Sequence, residues 1–476
     1  MARELLGIGA SFAAVFLMLG IAGALKKRGV SPETCRKLVH ILLSNWIILA
    51  LFMFESVWFA IVVPGCFVVL NSYSYRKGLF AGIEREQDNT PGTVWYAVSL
   101  LVLCLAGWSL GQPWIAACGI LAMGYGDGLA ALIGMRWGKR KMPAPYHEKT
   151  MEGCVAVLFF AGLSVGIVCA VFAPEIALAA AFCSGVIAMA AELYSPRGED
   201  NLTLPICVAI TVLLMSRFPA SIGFFICLSV TLLILLAAFM VGAVNFSGLH
   251  VGTLMGVLIY LYGGWLSYGA LGAFFVAGSL ISRVGKAKKA APASLHERKG
   301  PRGAVQVIAN TLPAFVMAQA YHVSGNEAFL LAVIVSFGAA AADTFSSEIG
   351  MLSKAQPVSA LTLRKVERGL SGGITLMGLC GGALGALILA ALAFPFFGAA
   401  GFLTVLIFSV FGSLLDSVLG AAIQAKYTLP GGGMTERKTL DGAPLILARG
   451  VPWINNDIVN FLSPLLAAAL SVVIVG

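Results

Sequence analysis

Residues Cys154–Phe172 read CVAVLFFAGLSVGIVCAVF, a run without a single charged side chain. A helix needs about 20 consecutive apolar residues to cross the hydrocarbon of a bilayer, and this run has that length. Similar runs lie on both sides of it, among them Leu5–Ala24, Val94–Leu110 and Ile222–Val241. Continued to Val475, the series amounts to roughly sixteen spans by hydropathy reading. Only 11% of the 476 residues are charged and 59% are hydrophobic, whereas soluble domains carry about 25% charged residues. The sequence therefore predicts an all-α, polytopic transmembrane bundle of about 15–16 spans, solvated mainly by lipid.

The net charge of +9 does not point to nucleic acid, because the basic residues gather in every second loop. They cluster around Lys26–Lys37, Arg76–Arg85, Arg136–Lys149, Arg283–Arg302, Arg364–Arg368 and Arg437–Arg449, while the intervening loops are nearly free of them, Arg217 excepted. This is the positive-inside pattern, and it places the basic loops in the cytoplasm of a multi-pass protein of the cell (inner) membrane. The first run follows Arg3 and ends at Lys26, Lys27 and Arg28. That polarity is wrong for a cleaved signal peptide, so a retained helix is expected. The ten cysteines contain no Cys-x-x-Cys pair, and inside apolar runs they read as small packing residues.

Two segments echo each other: Asp127-Gly-Leu-Ala-Ala-Leu-Ile-Gly134 and Asp343-Thr-Phe-Ser-Ser-Glu-Ile-Gly350. At the same offset, Lys149 is matched by Lys365 and Gly153 by Gly369. A duplication accounts for this, with domains at 1–218 and 219–476. Eight helices in each half make the halves parallel repeats, with Asp127 on the fifth span and Asp343 on the thirteenth.

On a helix, Asp127, Ala130, Ala131 and Gly134 share one face, as do Asp343, Ser346, Ser347 and Gly350. Small residues alone would mean close helix packing. A carboxylate near the hydrocarbon is costly and normally faces a partner, an ion or water, so both Asp residues are candidate metal or base positions. Lys149 and Thr150 precede an apolar helix, with Glu152 and Gly153 in its first turn. Cations, hydroxyls and glycines at a helix N-terminus make a phosphate site. Lys365, Gly369, Ser371 and Gly372 are read as the counterparts. Mg²⁺ bound by a carboxylate beside such a site would supply what phosphoryl transfer needs. Asp200, Asp416 and Asp457 are further candidate metal ligands, and Glu192, Asn201, Asn456 and Asn460 further supporting groups. Arg36, Lys37 and His40 open the second span. The Ala425–Asn455 stretch, with Gly431–Gly433, reads as a connector or a lid over phosphates.

Arg36-Lys-Leu-Val-His40, Gly92-Thr-Val-Trp-Tyr96, Gly126-Asp-Gly-Leu-Ala130, Lys149-Thr-Met-Glu-Gly153, and Glu192 through Asp200-Asn-Leu-Thr-Leu-Pro205 resemble the phytol kinase and dolichol kinase family. The likeness covers most of residues 31–210. It implies a membrane enzyme that phosphorylates long isoprenoid alcohols with CTP, with nucleotide contacts at Asp127, Ala130, Gly134, Lys149, Thr150, Glu152 and Gly153. The second half, through Arg302-Gly-Ala-Val-Gln306-Val-Ile-Ala-Asn310, Asp343-Thr-Phe-Ser-Ser-Glu348-Ile-Gly350, Gly369-Leu-Ser-Gly-Gly-Ile-Thr375, Gly412-Ser-Leu-Leu-Asp416 and Asn455-Asn-Asp-Ile-Val-Asn460, is similar to the phytyl-phosphate kinase family. That resemblance covers roughly 240–476 and implies conversion of a prenyl monophosphate to a diphosphate. Arg368 stands where the repeat alignment puts Glu152, so the nucleotide contacts of the two halves differ.

Together these readings predict a fused kinase that uses Mg²⁺ and CTP or another NTP. Its partners would be membrane lipid, an isoprenoid alcohol of the phytol, farnesol or geranylgeraniol type, and its prenyl phosphate, with no nucleic acid. Two other classes share the features: a cytidylyltransferase acting on a lipid phosphate, and a transporter built from parallel repeats.

Overall fold

The structure is a computed structural model that describes residues 1–77, 91–146, 148–195, 198–285, 300–440 and 443–475. The basic stretches expected at 78–85 and 286–298 lie outside the described residues. Thirteen helices among the described residues are long and apolar enough to cross a membrane, and the chain is an integral, multi-pass membrane protein. Two of the thirteen are continuous only in hydrogen bonding. Phe246–Ile281 turns back at Gly264 (φ 68°) and Leu376–Ala422 at Gly398 (φ 63°). A straight helix of 47 residues would be about 70 Å long, more than twice the hydrocarbon thickness. Each is therefore a helical hairpin, folded at a left-handed position that only glycine adopts cheaply. The thirteen become fifteen when both hairpins count as two crossings, and sixteen with Ala304–Ser324, made less apolar by Gln306, Asn310, Gln319 and His322.

The chain divides into two compact units, Met1–Leu233 and Ile234–Gly476. In the first, the helices run α1 (Ala2–Lys27), α2 (Pro32–Ser44), α3 (Trp46–Met53), α4 (Val57–Ala60), α5 (Val62–Lys77), α6 (Gly92–Ser109), α7 (Pro113–Trp137), α8 (Met151–Phe172), α9 (Ala177–Tyr194) and α10 (Asp200–Arg217), and α11 (Ser221–Met240) follows. Helix α7 is the axis, with Ile115–Gly124 buried without interruption and α2, α6, α8 and α10 packed around it. With no hydrophobic drive between helices in lipid, such packing rests on close approach at small residues. A Cβ added at Gly124 would lie 2.3 Å from Ser44 Cβ, one at Gly128 2.4 Å from Ile41 Cγ1, and one at Gly119 2.4 Å from the Pro205 carbonyl oxygen. Glycines at 124 and 128 thus let α2 lie directly on α7. Arg217, the cation in an otherwise uncharged loop, donates to the carbonyl oxygen of Leu110 at 3.4 Å, just past the end of α6.

The second unit holds α12 (Phe246–Ile281), α13 (Ala304–Ser324), α14 (Glu327–Gly350), α15 (Leu376–Ala422) and α16 (Asn456–Val475). Here α14 is the axis, buried from Leu331 to Ala342 and packed on both arms of the α15 hairpin. Between α14 and α15, β1 (Val358–Ser359) pairs antiparallel with β2 (Gly373–Ile374). The Ala425–Asn455 stretch is not a bare connector: β3 (Lys426–Thr428) sits between β4 (Met434–Thr435) and β7 (Ile446–Arg449), and β5 (Thr439–Leu440) pairs with β6 (Ala443–Pro444).

Replacing Gly124 by Val is expected to force α2 off α7 at a cost of about 1–3 kcal/mol. The measurement is the thermal midpoint of the detergent-solubilised protein, which should fall. Gly65→Ala, whose added methyl meets nothing within 4 Å, should leave it unchanged.

Candidate functional site

On α2, Lys37, His40 and Ser44 occupy i, i+3 and i+7 and so face the same way. Because α2 lies on the glycines of α7, Lys37 Nζ donates to Asp127 Oδ1 and Oδ2 at 2.6 and 2.7 Å. His40 Nε2 stands 3.6 Å from Asp127 Oδ2 and has no hydrogen-bond partner. The His40 ring meets Tyr96 edge-on, centroids 4.5 Å apart, and Tyr96 Oη is 3.0 Å from Ser44 Oγ. Lys37, His40 and Asp127 are all buried, so neither member of the ion pair can be removed without stranding the other charge.

The remaining groups arrive on helix ends. Lys149 precedes α8 and pairs with Glu192, near the C-terminal end of α9. Burial pushes the Lys149 ammonium down, but Glu192, Asp200 and Asp127 together push it up by more, so its pKa lies above the ordinary value. Thr150 caps α8, its Oγ1 accepting from the Gly153 N–H at 3.3 Å. Asp200 and Asn201 open α10, and Asn201 Nδ2 donates to the Gly92 carbonyl oxygen at 3.1 Å, tying α10 to the start of α6. Carboxylate oxygens of Asp127, Glu192 and Asp200 lie within 4.8 Å of one another, and Glu192 Oε2 is buried without a partner. A set of carboxylate oxygens is the ligand chemistry of a hard divalent cation, so these residues fit Mg²⁺.

They surround a cavity of about 490 Å³ whose walls include Arg36, Lys37, Asp127, Gly134, Lys149, Thr150, Gly153, Glu192, Asp200 and Asn201. Beside it lies an apolar chamber of about 220 Å³, walled by Phe16, Leu19, Val39, His40, Leu43, Phe67, Leu70 and Tyr96. Arg36, Gly92, Thr93 and Asn201 line both. Glu152 is not among the cavity-lining residues; its carboxylate accepts from the Arg140 N–H, which corrects the expectation of a nucleotide contact there.

In the second unit a cavity of about 100 Å³ is lined by Asp343, Ser346, Ser347, Gly350, Arg368, Gly369, Ser371, Gly372, Thr375, Asp416 and Asn456, among others. Ser463 Oγ donates to Asp416 Oδ2 at 2.8 Å. The glycine loop is held from both sides: Lys426 Nζ donates to the Ser371 carbonyl oxygen and the Ser371 N–H to Glu436 Oε1, both at 2.8 Å. Burial lowers the Lys426 pKa, against the pull of Glu436. At Gly372 (φ +86°) a Cβ would come within 2.5 Å of the Ala421 nitrogen, so no other residue fits.

Several expected residues lie elsewhere. Lys365 is exposed and does not line the cavity, because the loop before α15 is longer than the one before α8 and folds into the β1–β2 hairpin. The residue placed like Thr150 is Thr375, whose Oγ1 accepts from the Gly378 N–H at 3.0 Å. Gly378, not Gly369, packs against Gly350 as Gly153 packs against Gly134. Thr375-Leu-Met-Gly378 repeats the Thr-x-x-Gly pattern of Thr150–Gly153 at the head of an apolar run, and that spacing could have located it. Arg302, Gln306 and Asn310 belong to the start of α13, where Gln306 Oε1 accepts from the Gly303 N–H at 3.2 Å and Asn310 bonds the Gln306 carbonyl. With Glu348, Asp457 and Asn460, they do not line the cavity. Thr93, inside the Gly92–Tyr96 motif, was given no role of its own, and Lys426 was missed, since a strand Lys carries no pattern.

Residues 229–468 match the family model of an integral membrane protein, DUF92. The chain belongs to that family. It is also 33% identical over 190 residues to a phytol kinase of Synechocystis sp., covering 39% of this chain and 81% of that one. Identity to the chloroplastic protein VTE6 of Arabidopsis thaliana is 28% over 249 residues, 49% of this chain and 66% of the other. A chloroplastic farnesol kinase of the same plant is 29% identical over 170 residues, 32% and 53% of the two chains. No solved structure matches. The resemblance to phytol kinases drawn from the motifs agrees with these relatives.

Truncating Lys37 to Met should leave the Asp127 carboxylate buried without its counter-ion, a loss of roughly 3–5 kcal/mol. Thermal unfolding in detergent is expected to show a large drop for Lys37→Met and a partial recovery when Asp127→Leu is added.

Proposed function

We propose that the first unit is a phosphotransferase that moves the γ-phosphoryl group of a nucleoside triphosphate onto the hydroxyl of a long isoprenoid alcohol. The observation that carries this reading is the pair of adjoining chambers, one lined by carboxylates and amines and the other apolar, with Arg36, Gly92, Thr93 and Asn201 lining both. A hydroxyl on an apolar tail would sit at that neck, with its tail in one chamber and the nucleotide phosphates in the other. The relatives named phytol kinase and farnesol kinase support the substrate class.

Asp127, Glu192 and Asp200 would hold Mg²⁺, which when bound neutralises phosphate charge. Lys149 and Arg36 bind the phosphate oxygens, with the positive end of the α8 dipole beside them. Lys37 holds Asp127 in place. His40, in the wall of the apolar chamber and facing Asp127, takes the hydroxyl proton as the alcohol oxygen bonds to the γ-phosphorus and the bridging oxygen leaves with the nucleoside diphosphate. Positioning and charge stabilisation account for most of the rate in such a transfer.

The second unit, whose cavity is lined by Asp343, Asp416, Arg368 and the held glycine loop, phosphorylates the monophosphate to the diphosphate in the same reading. Duplication of one ancestral unit accounts for the matching Gly134–Gly153 and Gly350–Gly378 contacts. CTP is the proposed donor, and the positive-inside pattern of the basic loops supports a cytoplasmic location at the cell membrane for the first unit's site.

Purified protein in detergent, given Mg²⁺, γ-labelled CTP or ATP and farnesol, geranylgeraniol or phytol, should yield labelled monophosphate and then diphosphate, resolved by chromatography. Asp127→Asn should lower monophosphate formation by at least about a hundredfold, the scale of losing one preorganised charge, and Asp343→Asn should block only the second step. Release of pyrophosphate in place of the nucleoside diphosphate would make the enzyme a nucleotidyltransferase, and an unlabelled lipid under every condition would overturn the kinase reading.

A further inference from the structure

The apolar chamber does not end at the residues nearest the polar cavity. A smaller chamber of about 50 Å³ shares Leu43, Phe67, Asn71 and Tyr96 with it, so the two adjoin at those side chains; taken together they form the candidate passage. The inner compartment is walled by Val15, Trp46, Val63, Pro64, Ala97 and Leu100. All six are buried, Trp46 to 3% exposure and Ala97 to 2%, so these walls do not face lipid.

The wall is also held in place. Trp46 begins α3 immediately after Asn45, where α2 bends. Asn45 Nδ2 donates to the Ile41 carbonyl oxygen at 2.8 Å and its Oδ1 accepts from Tyr125 Oη at 2.9 Å. This locks the bend to α7, the helix that carries Asp127. Asn71 Nδ2 donates to the Thr93 carbonyl oxygen at 3.0 Å, fixing α5 to the neck. The distance from the reacting hydroxyl to the Trp46 wall is therefore built into the same helices that position the carboxylates.

We propose that this passage is the tail site of the isoprenoid alcohol, and that Trp46 and its neighbours form a blind end that limits how many isoprene units the first unit accepts. The proposal rests on the kinase reading above. The outer chamber is flanked by the exposed Phe16 and Leu70, whereas the inner compartment is closed by buried side chains, and a tail that enters it is penalised for every carbon beyond its depth. A pocket that gains or loses a methylene-sized space changes discrimination by about 10- to 200-fold.

The test is a series of alcohols of increasing length, geraniol, farnesol, geranylgeraniol and a long polyprenol, with diacylglycerol as a second source of an apolar tail. Monophosphate formation is measured for the wild type, for Trp46→Ala, which deepens the passage, and for Ala97→Phe, which shortens it. Relative to farnesol, kcat/KM for the longest accepted alcohol should rise about tenfold in Trp46→Ala, and the preference of Ala97→Phe should move about tenfold toward geraniol. If the wild type phosphorylates none of these compounds, the kinase reading itself fails. If it phosphorylates prenols but both variants, shown to be folded by a symmetric size-exclusion peak, keep its length profile, the tail assignment is wrong while the kinase reading stands. Should Ala97→Phe be inactive even on geraniol, Trp46→Ala decides alone. Preferential phosphorylation of diacylglycerol would overturn the isoprenoid occupant.

Discussion

The ion pair between Lys37 and Asp127 is the contact around which the first unit is arranged. Two opposite charges buried among membrane helices carry a desolvation cost that is offset only when the geometry holds both in register. Here the register comes from glycines at 124 and 128, which bring α2 against α7 until a Lys side chain spans the gap. The same approach sets His40 opposite Asp127, and Asn45, bonded to Ile41 and Tyr125, holds the bend into α3. One close helix approach thereby sets the charged chamber, the neck and the inner wall of the apolar passage.

Around that pair the site is assembled from helix termini, and membrane physics gives the reason. Polar side chains are least costly where a helix leaves the hydrocarbon, and unpaired backbone N–H groups occur only at helix starts. Lys149 and Thr150 lie ahead of α8, Glu192 at the end of α9, Asp200 and Asn201 at the start of α10, and Gly92 at the start of α6. Alternation of helix direction in a bundle brings these four ends to one side. The apolar chamber then extends inward between α1, α2, α5 and α6, where only apolar tails are soluble.

The second unit reaches a related arrangement by a different route. Thr375 and Gly378 reproduce the cap and the close glycine contact of Thr150 and Gly153. Its glycine loop, however, is fastened by Lys426 and Glu436 from a small sheet that has no counterpart in the first unit. No cluster of three carboxylates occurs there among the described residues; Asp343 and Asp416 are joined by serines and Arg368. The two cavities therefore present different patterns of charged side chains.

The primary structure by itself determined the class of fold, because lipid leaves a backbone only internally bonded helices or a closed barrel, and apolar runs of about 20 residues have the length of helices. It also singled out Asp127, Lys149 and Glu192, which line one cavity, since charged residues are rare enough in such a chain to stand out. Spacing beyond the second Asp misled: Lys365 and Gly369 matched in number, but with the β1–β2 hairpin ahead of α15 it is Thr375 and Gly378 that stand as Thr150 and Gly153 do. Periodicity cannot register an insertion that folds away from the helices. Only the tertiary structure decided that Lys37, ninety residues from Asp127 in sequence, is its partner, that Lys426 reaches Ser371, and that the residues lining the passage from Leu43 to Trp46 enclose a chamber. Each depends on which helices meet, and side chains that look like ordinary membrane-facing residues acquire a cavity only when the helices around them are in place.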